Sequence, residues 1–196
     1  INITGTDDLP EFEVATVSSD VDNIDMTGLN FSSGFKFEAD VKLDSASETF
    51  FRQQNNGSNS FLIEFGDADH NSPHNPGTYL QLYIPLVNGG VYKAVTIDSL
   101  TIDEWHSIEV NYDPINGATI FIDGQSVGLD DSMGDSPSAM VSVSDGNYTV
   151  GSTQGEDFNG VFKDVKITSL EDDSEIVPNL SGDEVLFIQD DVDDGI

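Results

Sequence analysis

The stretch DEWHSIEVNYDPINGATIFIDG, residues 103–124, contains two runs in which apolar and polar side chains alternate. In residues 105–112, every second side chain from Ile108 onward is apolar or aromatic. Residues 117–123 repeat the alternation from Ala118 onward. A period of two places one apolar set on a single face of a sheet. Both runs are therefore predicted β-strands.

Turn residues lie between and after these two runs. Pro114 presets φ, and Asn116-Gly117 accepts the positive φ of a tight reversal, so the two strands are predicted to form a hairpin. Asp123-Gly124 predicts a second tight turn that leads into one more strand over residues 125–129. Each turn begins with an aspartate, which turns favour for backbone reasons. We therefore interpret this hairpin as scaffold and expect the functional residues on other segments.

Short strand-like runs recur along the rest of the chain. The clearest is residues 35–43, where aromatic or aliphatic side chains alternate with charged ones. The step from Phe162 to Val165 breaks the alternation of another run and predicts a β-bulge. The remaining predicted strands are residues 11–17, 49–54, 60–66, 78–85, 91–98, 148–151, 158–170 and 184–189, with a short one near Met140. These runs predict an all-β fold in which two antiparallel sheets pack as a β-sandwich.

Length and charge exclude several classes of function. The chain has 196 residues, which suits one all-β domain. It contains 6 Lys and Arg against 37 Asp and Glu, a net charge of −31, and no cysteine. So few cations exclude nucleic-acid binding through a basic patch, and anionic lipid surfaces would repel the chain. No stretch reaches the ~20 apolar residues of a membrane span, so no membrane insertion is predicted. Disulfides and thiol chemistry are excluded because cysteine is absent.

Three explanations fit the acidity. The carboxylates could bind divalent cations such as calcium. They could be an adaptation to high salt, which screens self-repulsion, or they could keep an exported chain soluble. Aspartate is commoner than glutamate, which favours calcium-rich extracellular surroundings. Because the chain begins at Ile1 rather than Met, we expect a mature or excised domain. The acidic composition favours a secreted or cell-surface location, and we expect a monomeric domain within a longer chain.

The stretch from Trp105 onward also resembles a known family. Trp-His, an apolar strand ending in Tyr-Asp, a short glycine turn and Ile-Phe-Ile-Asp-Gly are similar to the signature of laminin-G-like and pentraxin-like domains. GLNFSSGFKFEADVKL at residues 28–43 resembles their opening strand, and FNGVFKDVKITSL at residues 158–170 resembles their closing strand. The resemblance spans about residues 28–170. It implies a concanavalin A-like jelly roll and one domain over residues 1–196, with edge strands from the flanking segments.

Oxygen-bearing side chains cluster in two loops, residues 67–77 and 130–147, and calcium prefers such ligands. The predicted metal ligands are Asp67, Asp69, Asn71, Asp130, Asp131, Asp135 and Asp145. A smaller acidic cluster surrounds Asp22. Laminin-G-like domains hold calcium at one rim of the sandwich, so the resemblance implies calcium as cofactor without assigning its ligands. The competing interpretation is that both loops are solvated acidic surface.

The loop of residues 67–77 is also the predicted ligand-binding loop, because binding residues concentrate on long loops of a rigid scaffold. Its candidate residues are Asn71, His74, Asn75 and the nearby Tyr79. Tyr79, Tyr83 and Tyr92 lie on neighbouring predicted strands, where aromatic faces could stack on sugars while polar groups bind hydroxyls. Core packing is the competing interpretation for these tyrosines. Trp105 is predicted to be a core residue, and His106 is interpreted as structural.

Catalysis is not predicted. Some concanavalin A-like folds are glucanases with a Glu-x-Asp-x-Glu strand, but the nearest run here, residues 38–42, ends in Lys42. A divergent hydrolase would need two carboxylates facing each other across a cleft. We therefore predict a non-catalytic extracellular module for calcium-assisted recognition of a glycan or other cell-surface ligand, within a larger surface or adhesin protein. The alternative is a structural or protein-adhesion module with a salt-adapted acidic surface.

Overall fold

A computed structural model describes residues 11–17, 22–26, 29–53, 61–66, 77–141, 147–151, 158–178, 180 and 183–189. Within these ranges the regular structure is all β, as predicted, and no helix occurs. The strands are β1 Glu11–Val17, β2 Asp22–Asp25, β3 Phe35–Leu43, β4 Thr49–Gln53, β5 Leu62–Gly66, β6 Tyr79–Pro85, β7 Val91–Thr96, β8 Trp105–Asp113, β9 Gly117–Ile122, β10 Gln125–Ser126, β11 Leu129–Asp130, β12 Asn147–Val150, β13 Gly160–Ser169, β14 Glu175–Ile176 and β15 Asp183–Gln189.

Two antiparallel sheets form the sandwich. The six-stranded sheet has the order β10-β9-β8-β3-β13-β14, and the seven-stranded sheet has the order β11-β7-β6-β5-β4-β12-β2. β1 and β15 pair separately as a two-stranded sheet. In the six-stranded sheet β3 lies between β8 and β13, which are distant from it in sequence. The predicted hairpin β8–β9 is confirmed, and the predicted strands of β4–β5 and of β6–β7 also pair antiparallel with each other.

The β8–β9 hairpin is part of the scaffold. Hydrogen bonding within its turn explains why an aspartate stands at position 113. Asp113 Oδ1 accepts hydrogen bonds from the backbone nitrogens of Ile115 and Asn116, each at 2.8 Å. These bonds lower the pKa of Asp113, because they favour the charged carboxylate. Gly117 closes the turn at φ 84°, a conformation that glycine adopts without steric cost.

The core lies between the two sheets and is rich in phenylalanine. Along β3, buried side chains alternate with partly exposed ones over the whole strand. The ring of Phe37 contacts those of Phe50 and Phe51, with centroids 6.0 and 5.3 Å apart. Phe162 of β13 packs edge-on against Phe50 at 5.5 Å. Each such aromatic pair contributes about 0.5–1.5 kcal/mol beyond its buried area.

The predicted bulge in β13 is confirmed. Its register against β3 shifts between Lys163 and Lys166, and Asp164 has a positive φ of 53°. A bulge inserts one extra residue and redirects the side chains that follow it. Lys163 and Lys166 are three residues apart, yet they pair with Asp40 and Glu38, which lie on one face of β3.

Three sequence predictions were wrong or incomplete. The single strand predicted over residues 125–129 is two short strands in different sheets: β10 pairs with β9, whereas β11 pairs with β7. The chain crosses between sheets at Gly128, whose carbonyl accepts a hydrogen bond from Ile97 N at 2.9 Å. β2 is not among the predicted strands, and it pairs with β12 at the sheet edge. Near Met140 there is an isolated bridge to Leu86 in place of a strand.

Candidate functional site

Several predicted site residues lie outside the described part of the chain. They are Asp67, Asp69, Asn71, His74, Asn75 and Asp145. The predictions made for them stay predictions. Tyr79, Asp130, Asp131 and Asp135 are described, and they adjoin the same sheet.

The three described aspartates each bind a different local group. Asp130 Oδ1 accepts hydrogen bonds from the nitrogen and hydroxyl of Ser132, at 3.0 and 2.7 Å. Asp131 Oδ2 accepts from the Tyr92 hydroxyl at 3.5 Å. Asp135 Oδ2 accepts from the first backbone nitrogen of β7 at 2.9 Å. Across the residues that the structure describes, no three Asp, Glu or His side chains form a group that could hold a metal ion.

Two buried tyrosines fix the segment that carries these aspartates. The hydroxyl of Tyr112 donates to the carbonyl of Ser138 at 2.7 Å and accepts from its nitrogen at 3.2 Å. The hydroxyl of Tyr92 accepts from Ala118 N at 3.0 Å and donates to Asp131. Burial raises the pKa of both phenols, so both stay protonated. Residues 131–138 are thus tied to both sheets.

A polar layer covers the side of the seven-stranded sheet that faces away from the core. We call it the β4–β7 outer face and define it by Arg52, Leu62, Glu64, Tyr79, Gln81, Tyr83, Lys93, Val95 and Asp130. Strand register aligns these side chains in two rows that cross the sheet. One row runs from Arg52 through Leu62 and Tyr83 to Lys93. The other runs from Glu64 through Gln81 and Val95 to Asp130.

This face is unusually well buried for the outside of a sheet. Glu64 and Gln81 are each 3% exposed, and Tyr83 is 8% exposed. None of the three belongs to the hydrophobic core cluster between the sheets. Burying polar groups costs free energy unless they are hydrogen-bonded, so such a layer needs a stabilising network. Part of that network is visible, since the Tyr83 hydroxyl donates to Gln81 Oε1 at 3.1 Å.

Gly66 and Lys93 fix the orientations of Gln81 and Tyr83, the two central side chains of this face. The Gln81 amide lies directly over Gly66, where a Cβ atom would overlap Gln81 Nε2. The ammonium of Lys93 lies 5.2 Å from the centroid of the Tyr83 ring. A cation over an aromatic face is attracted by about 0.5–2 kcal/mol, depending on its exposure. Both contacts hold polar groups in fixed orientations beside an aromatic ring.

The β4–β7 outer face opens to solvent beside β11. A cavity of about 10 Å³ is lined there by Gln81, Tyr83, Lys93, Val95, Asp130 and Met133, with Leu82 and Ala94 behind them. That volume is about what one water molecule needs. Met133 is 43% exposed at the mouth, and Asp130 is exposed as well. The opening therefore presents an apolar side chain, an ammonium, a carboxylate and an amide within one small depression.

The three tyrosines considered for sugar stacking do not share one face. Tyr79 and Tyr83 alternate with core leucines along β6 and lie on the β4–β7 outer face. Tyr79 is partly exposed, whereas Tyr92 is 1% exposed and belongs to the core cluster. For Tyr92, the interpretation as core is therefore confirmed. The sequence alone could have indicated Gln81, because the alternation Tyr-Leu-Gln-Leu-Tyr in residues 79–83 places it on the same strand face as the two tyrosines.

The other singled-out residues lie at the six-stranded sheet. His106 is buried, and its ring hydrogen-bonds Asp123 and Thr101, each at 2.8 Å, which confirms a structural role. Trp105 is only partly buried and lies outside the core cluster, so its assignment to the core was wrong. The reason is register: Trp105 is on the solvent side of β8, opposite Lys42.

Comparison with known proteins places this chain in a family. It belongs to the concanavalin A-like lectin/glucanases superfamily, whose laminin G-type model matches residues 17–173. This confirms the resemblance noted from the sequence. No curated protein matches the chain.

Two solved structures with TM-scores above 0.5 share the fold at low identity. A proposed carbohydrate-binding protein from Bacteroides ovatus ATCC 8483 is 20% identical, with a TM-score of 0.56 over 82% of this chain and 44% of its own. Domains LG4-5 of the mouse laminin alpha1 chain are 10% identical, with a TM-score of 0.59 over 94% of this chain and 50% of theirs. A pentraxin from Limulus polyphemus is 11% identical, with a TM-score of 0.48 over 91% and 94% of the two chains. This chain spans about half the length of the first two structures.

The described residues contain no helix that is long and apolar enough to cross a membrane.

Proposed function

We propose that this chain is a non-catalytic, extracellular carbohydrate-binding module of a larger secreted or cell-surface protein. The observation that carries the proposal is the opening of the β4–β7 outer face beside β11, where Lys93, Asp130 and Met133 border a buried polar and aromatic layer. The carbohydrate-binding description of the Bacteroides structure supports it by analogy of fold.

The opening beside β11 has the chemistry that a sugar needs. A sugar ring offers apolar C–H surface and hydroxyls that both donate and accept hydrogen bonds. Met133 supplies apolar contact, whereas Lys93 donates and Asp130 accepts.

Catalysis by paired carboxylates does not fit this face. Retaining glycosidases hold their two carboxyl groups at about 5–5.5 Å and inverting ones at about 6.5–9.5 Å. Glu64 and Asp130 lie in one row but on β5 and β11, with β6 and β7 between them. Three strand spacings separate their backbones by about 14 Å. Binding without bond cleavage is the function that this spacing favours.

Calcium is proposed as the organiser of the adjoining loop. Asp130, Asp131 and Asp135 supply carboxylates on a segment that the two buried tyrosines already hold in place. A calcium ion takes six to eight oxygen ligands, so these residues would need partners such as Asp145 or the loop of residues 67–77. Calcium would then fix the mouth of the β4–β7 outer face, with Asp130 shared between the ion and the sugar hydroxyls.

The test is a glycan array probed with the wild-type chain, in calcium and in chelator, at one fixed ionic strength. The tightest glycan is then titrated against Lys93→Gln and Met133→Ser, with Lys36→Gln on the opposite sheet as the control. We expect each site variant to weaken binding about tenfold, since each removes about 1.4 kcal/mol of contact, and the control to bind as wild type. Absence of any array binding in either condition would refute the proposal.

The alternative is a structural or adhesion module with a salt-adapted surface. The observation that favours it is the net charge of −31, which bulk salt would screen. It predicts a melting temperature that follows total ionic strength and is indifferent to low concentrations of calcium. The same array experiment separates the two, because this alternative predicts no glycan binding.

A further inference from the structure

The chain contains five Asn-x-Ser or Asn-x-Thr triplets, the acceptor signal for N-linked glycosylation. They begin at Asn2, Asn30, Asn56, Asn147 and Asn179. Three of these asparagines, at positions 2, 56 and 179, lie outside the described residues. The structure therefore allows a comparison of two triplets, residues 30–32 and residues 147–149, and these differ sharply in access.

Asn30 stands on the surface between two buried neighbours. Leu29 and Phe31 are 5% and 1% exposed, whereas Asn30 and Ser32 are both exposed. Asn30 lies between β2 and β3 and belongs to neither strand. The two buried neighbours anchor the backbone, and the side chain between them is presented to solvent.

The Asn30 side chain is held in an Asx turn. Its Oδ1 accepts a hydrogen bond from the backbone nitrogen of Ser32 at 3.0 Å. The backbone carbonyl of Asn30 accepts from the Ser169 hydroxyl, which ties the turn to β13. Because Oδ1 is turned toward the chain, Nδ2 lies on the outer side of the same exposed amide. The nitrogen that would receive a sugar is therefore the atom presented outward.

The triplet at residues 147–149 is closed by the sheet. Tyr148 and Thr149 are each 0% exposed. The strand that carries them, β12, pairs with β2 on one side and with β4 on the other. The acceptor signal requires the hydroxyl two residues after the asparagine, and here that hydroxyl is inside the folded domain.

We propose that Asn30 is an N-glycosylation site. The donor is an oligosaccharide linked to a lipid through a diphosphate. A bond forms between Asn30 Nδ2 and the anomeric carbon, the bond from that carbon to the phosphate oxygen breaks, and the lipid diphosphate leaves with the electron pair. The amide nitrogen loses one proton to a base of the transferring enzyme, and nothing is oxidised or reduced. The Ser32 hydroxyl completes the acceptor signal.

An exposed apolar side chain lies beside the acceptor turn. Leu170 is 42% exposed, and its backbone nitrogen donates to the carbonyl of Gly34 at 3.1 Å. A Cβ atom on Gly34 would lie 3.4 Å from Leu170 Cδ1. A sugar linked to Asn30 has an apolar C–H face that can cover this leucine. The glycan would thus remove apolar surface from water while it adds solvated hydroxyls.

A glycan on Asn30 leaves the candidate carbohydrate site open. Asn30 follows β2, whereas the opening of the β4–β7 outer face lies beside β11. β2 and β11 are the two edges of the seven-stranded sheet, six strand spacings or about 29 Å apart. The inference rests on the extracellular location in the proposed function and is independent of carbohydrate binding.

The test is mass spectrometry of the chain recovered from the medium and the surface of the cells that make it. Cleavage after glutamate releases residues 14–38 and residues 110–156, which each contain one acceptor triplet, at Asn30 and at Asn147. We expect a sugar mass on the first peptide, assigned to Asn30 by fragmentation, and none on the second. An unmodified first peptide, or a sugar on a serine instead, would overturn the proposal.

The location and the modification fail in different ways. A secreted chain without sugar on Asn30 refutes this site and leaves the proposed function standing. A chain found only inside the cell refutes the extracellular location and the modification together.

Variants of two neighbouring serines complete the test. The hydroxyls of Ser32 and Ser33 both donate to Glu171 Oε2, so each change to alanine removes a hydrogen bond to the same carboxylate. Only Ser32 belongs to the triplet. We expect Ser32→Ala and Asn30→Gln to lose the sugar mass completely, and Ser33→Ala and Ser32→Thr to keep it. A sugar that persists in Ser32→Ala, or that disappears in Ser33→Ala, would contradict the assignment.

Discussion

Removing the hydroxyl of Tyr112 is expected to destabilise the fold and loosen the segment that carries Asp130 to Asp135. In Tyr112→Phe two hydrogen bonds to Ser138 are lost, one at 2.7 Å and one at 3.2 Å. Each contributes about 0.5–1.5 kcal/mol net, so the free energy of unfolding should fall by about 2 kcal/mol. In a domain of this size that lowers the melting temperature by about 4–8 °C.

Tyr148 provides a matched control. It is fully buried, like Tyr112, but its hydroxyl has no hydrogen-bond partner among the described residues. Burial raises the pKa of this phenol strongly, so the group is neutral and poorly solvated. Tyr148→Phe removes a polar atom that is buried without compensation, and stability should stay unchanged or rise by about 1 kcal/mol.

The assay is urea unfolding of both variants, followed by circular dichroism at fixed ionic strength. The same chemical change is expected to have different outcomes at these two buried tyrosines. If Tyr112→Phe loses less than about 0.5 kcal/mol, the proposed tether of residues 131–138 does not exist. If Tyr148→Phe is destabilised as much as Tyr112→Phe, the assignment of hydrogen bonds is wrong.

Three further predictions concern the backbone, two carboxylates of β3 and calcium. Gly34→Ala should lower the free energy of unfolding in urea by about 2–4 kcal/mol, because φ is 104° and the new Cβ overlaps a carbonyl oxygen of β8. Gly89 has a φ of 87° but lies in open space, so Gly89→Ala should lower it by about 1 kcal/mol. In a carboxyl NMR titration, Asp40 should titrate above its ordinary pKa because of burial. Glu38 should titrate below its own, because hydrogen bonds from two lysines outweigh burial. The stability that Glu38 contributes is present above its unfolded pKa and is lost as the pH falls through the folded one. Calcium at micromolar to millimolar concentration should raise the melting temperature at fixed ionic strength. If the melting temperature does not rise, the proposed calcium site is refuted.

Alternation and turn chemistry were enough to predict most of the strands. β3, β8 and β9 are confirmed because apolar side chains recur at every second position of each strand, and β8 and β9 each end in a tight turn. β2 escaped prediction because Asp22–Asp25 is polar and does not alternate, and it is a strand only because β12 pairs with it. The crossing of the chain from one sheet to the other between β10 and β11 was not predicted for the same reason. The sheet to which each strand belongs is set by partners that are distant in sequence.

The candidate site could be predicted only in part. Tyr79, Tyr83 and Asp130 were proposed from local composition, and the structure places them on one face. Glu64 and Lys93 were missed, because their neighbours across the sheet come from other hairpins. Sequence alternation shows which residues share a face of one strand. It does not show which strands lie side by side, and the β4–β7 outer face depends on that order.

The most direct test of the central claim is chemical-shift mapping of the chain with the tightest glycan from the array. At 21.2 kDa the chain is within reach of amide NMR. The largest perturbations are predicted on β6, β7 and β11, around Gln81, Tyr83, Lys93 and Asp130, and they should vanish at the same glycan concentration in Lys93→Gln. Perturbations confined to the six-stranded sheet, or unchanged in Lys93→Gln, would contradict the assignment of the β4–β7 outer face as the carbohydrate site.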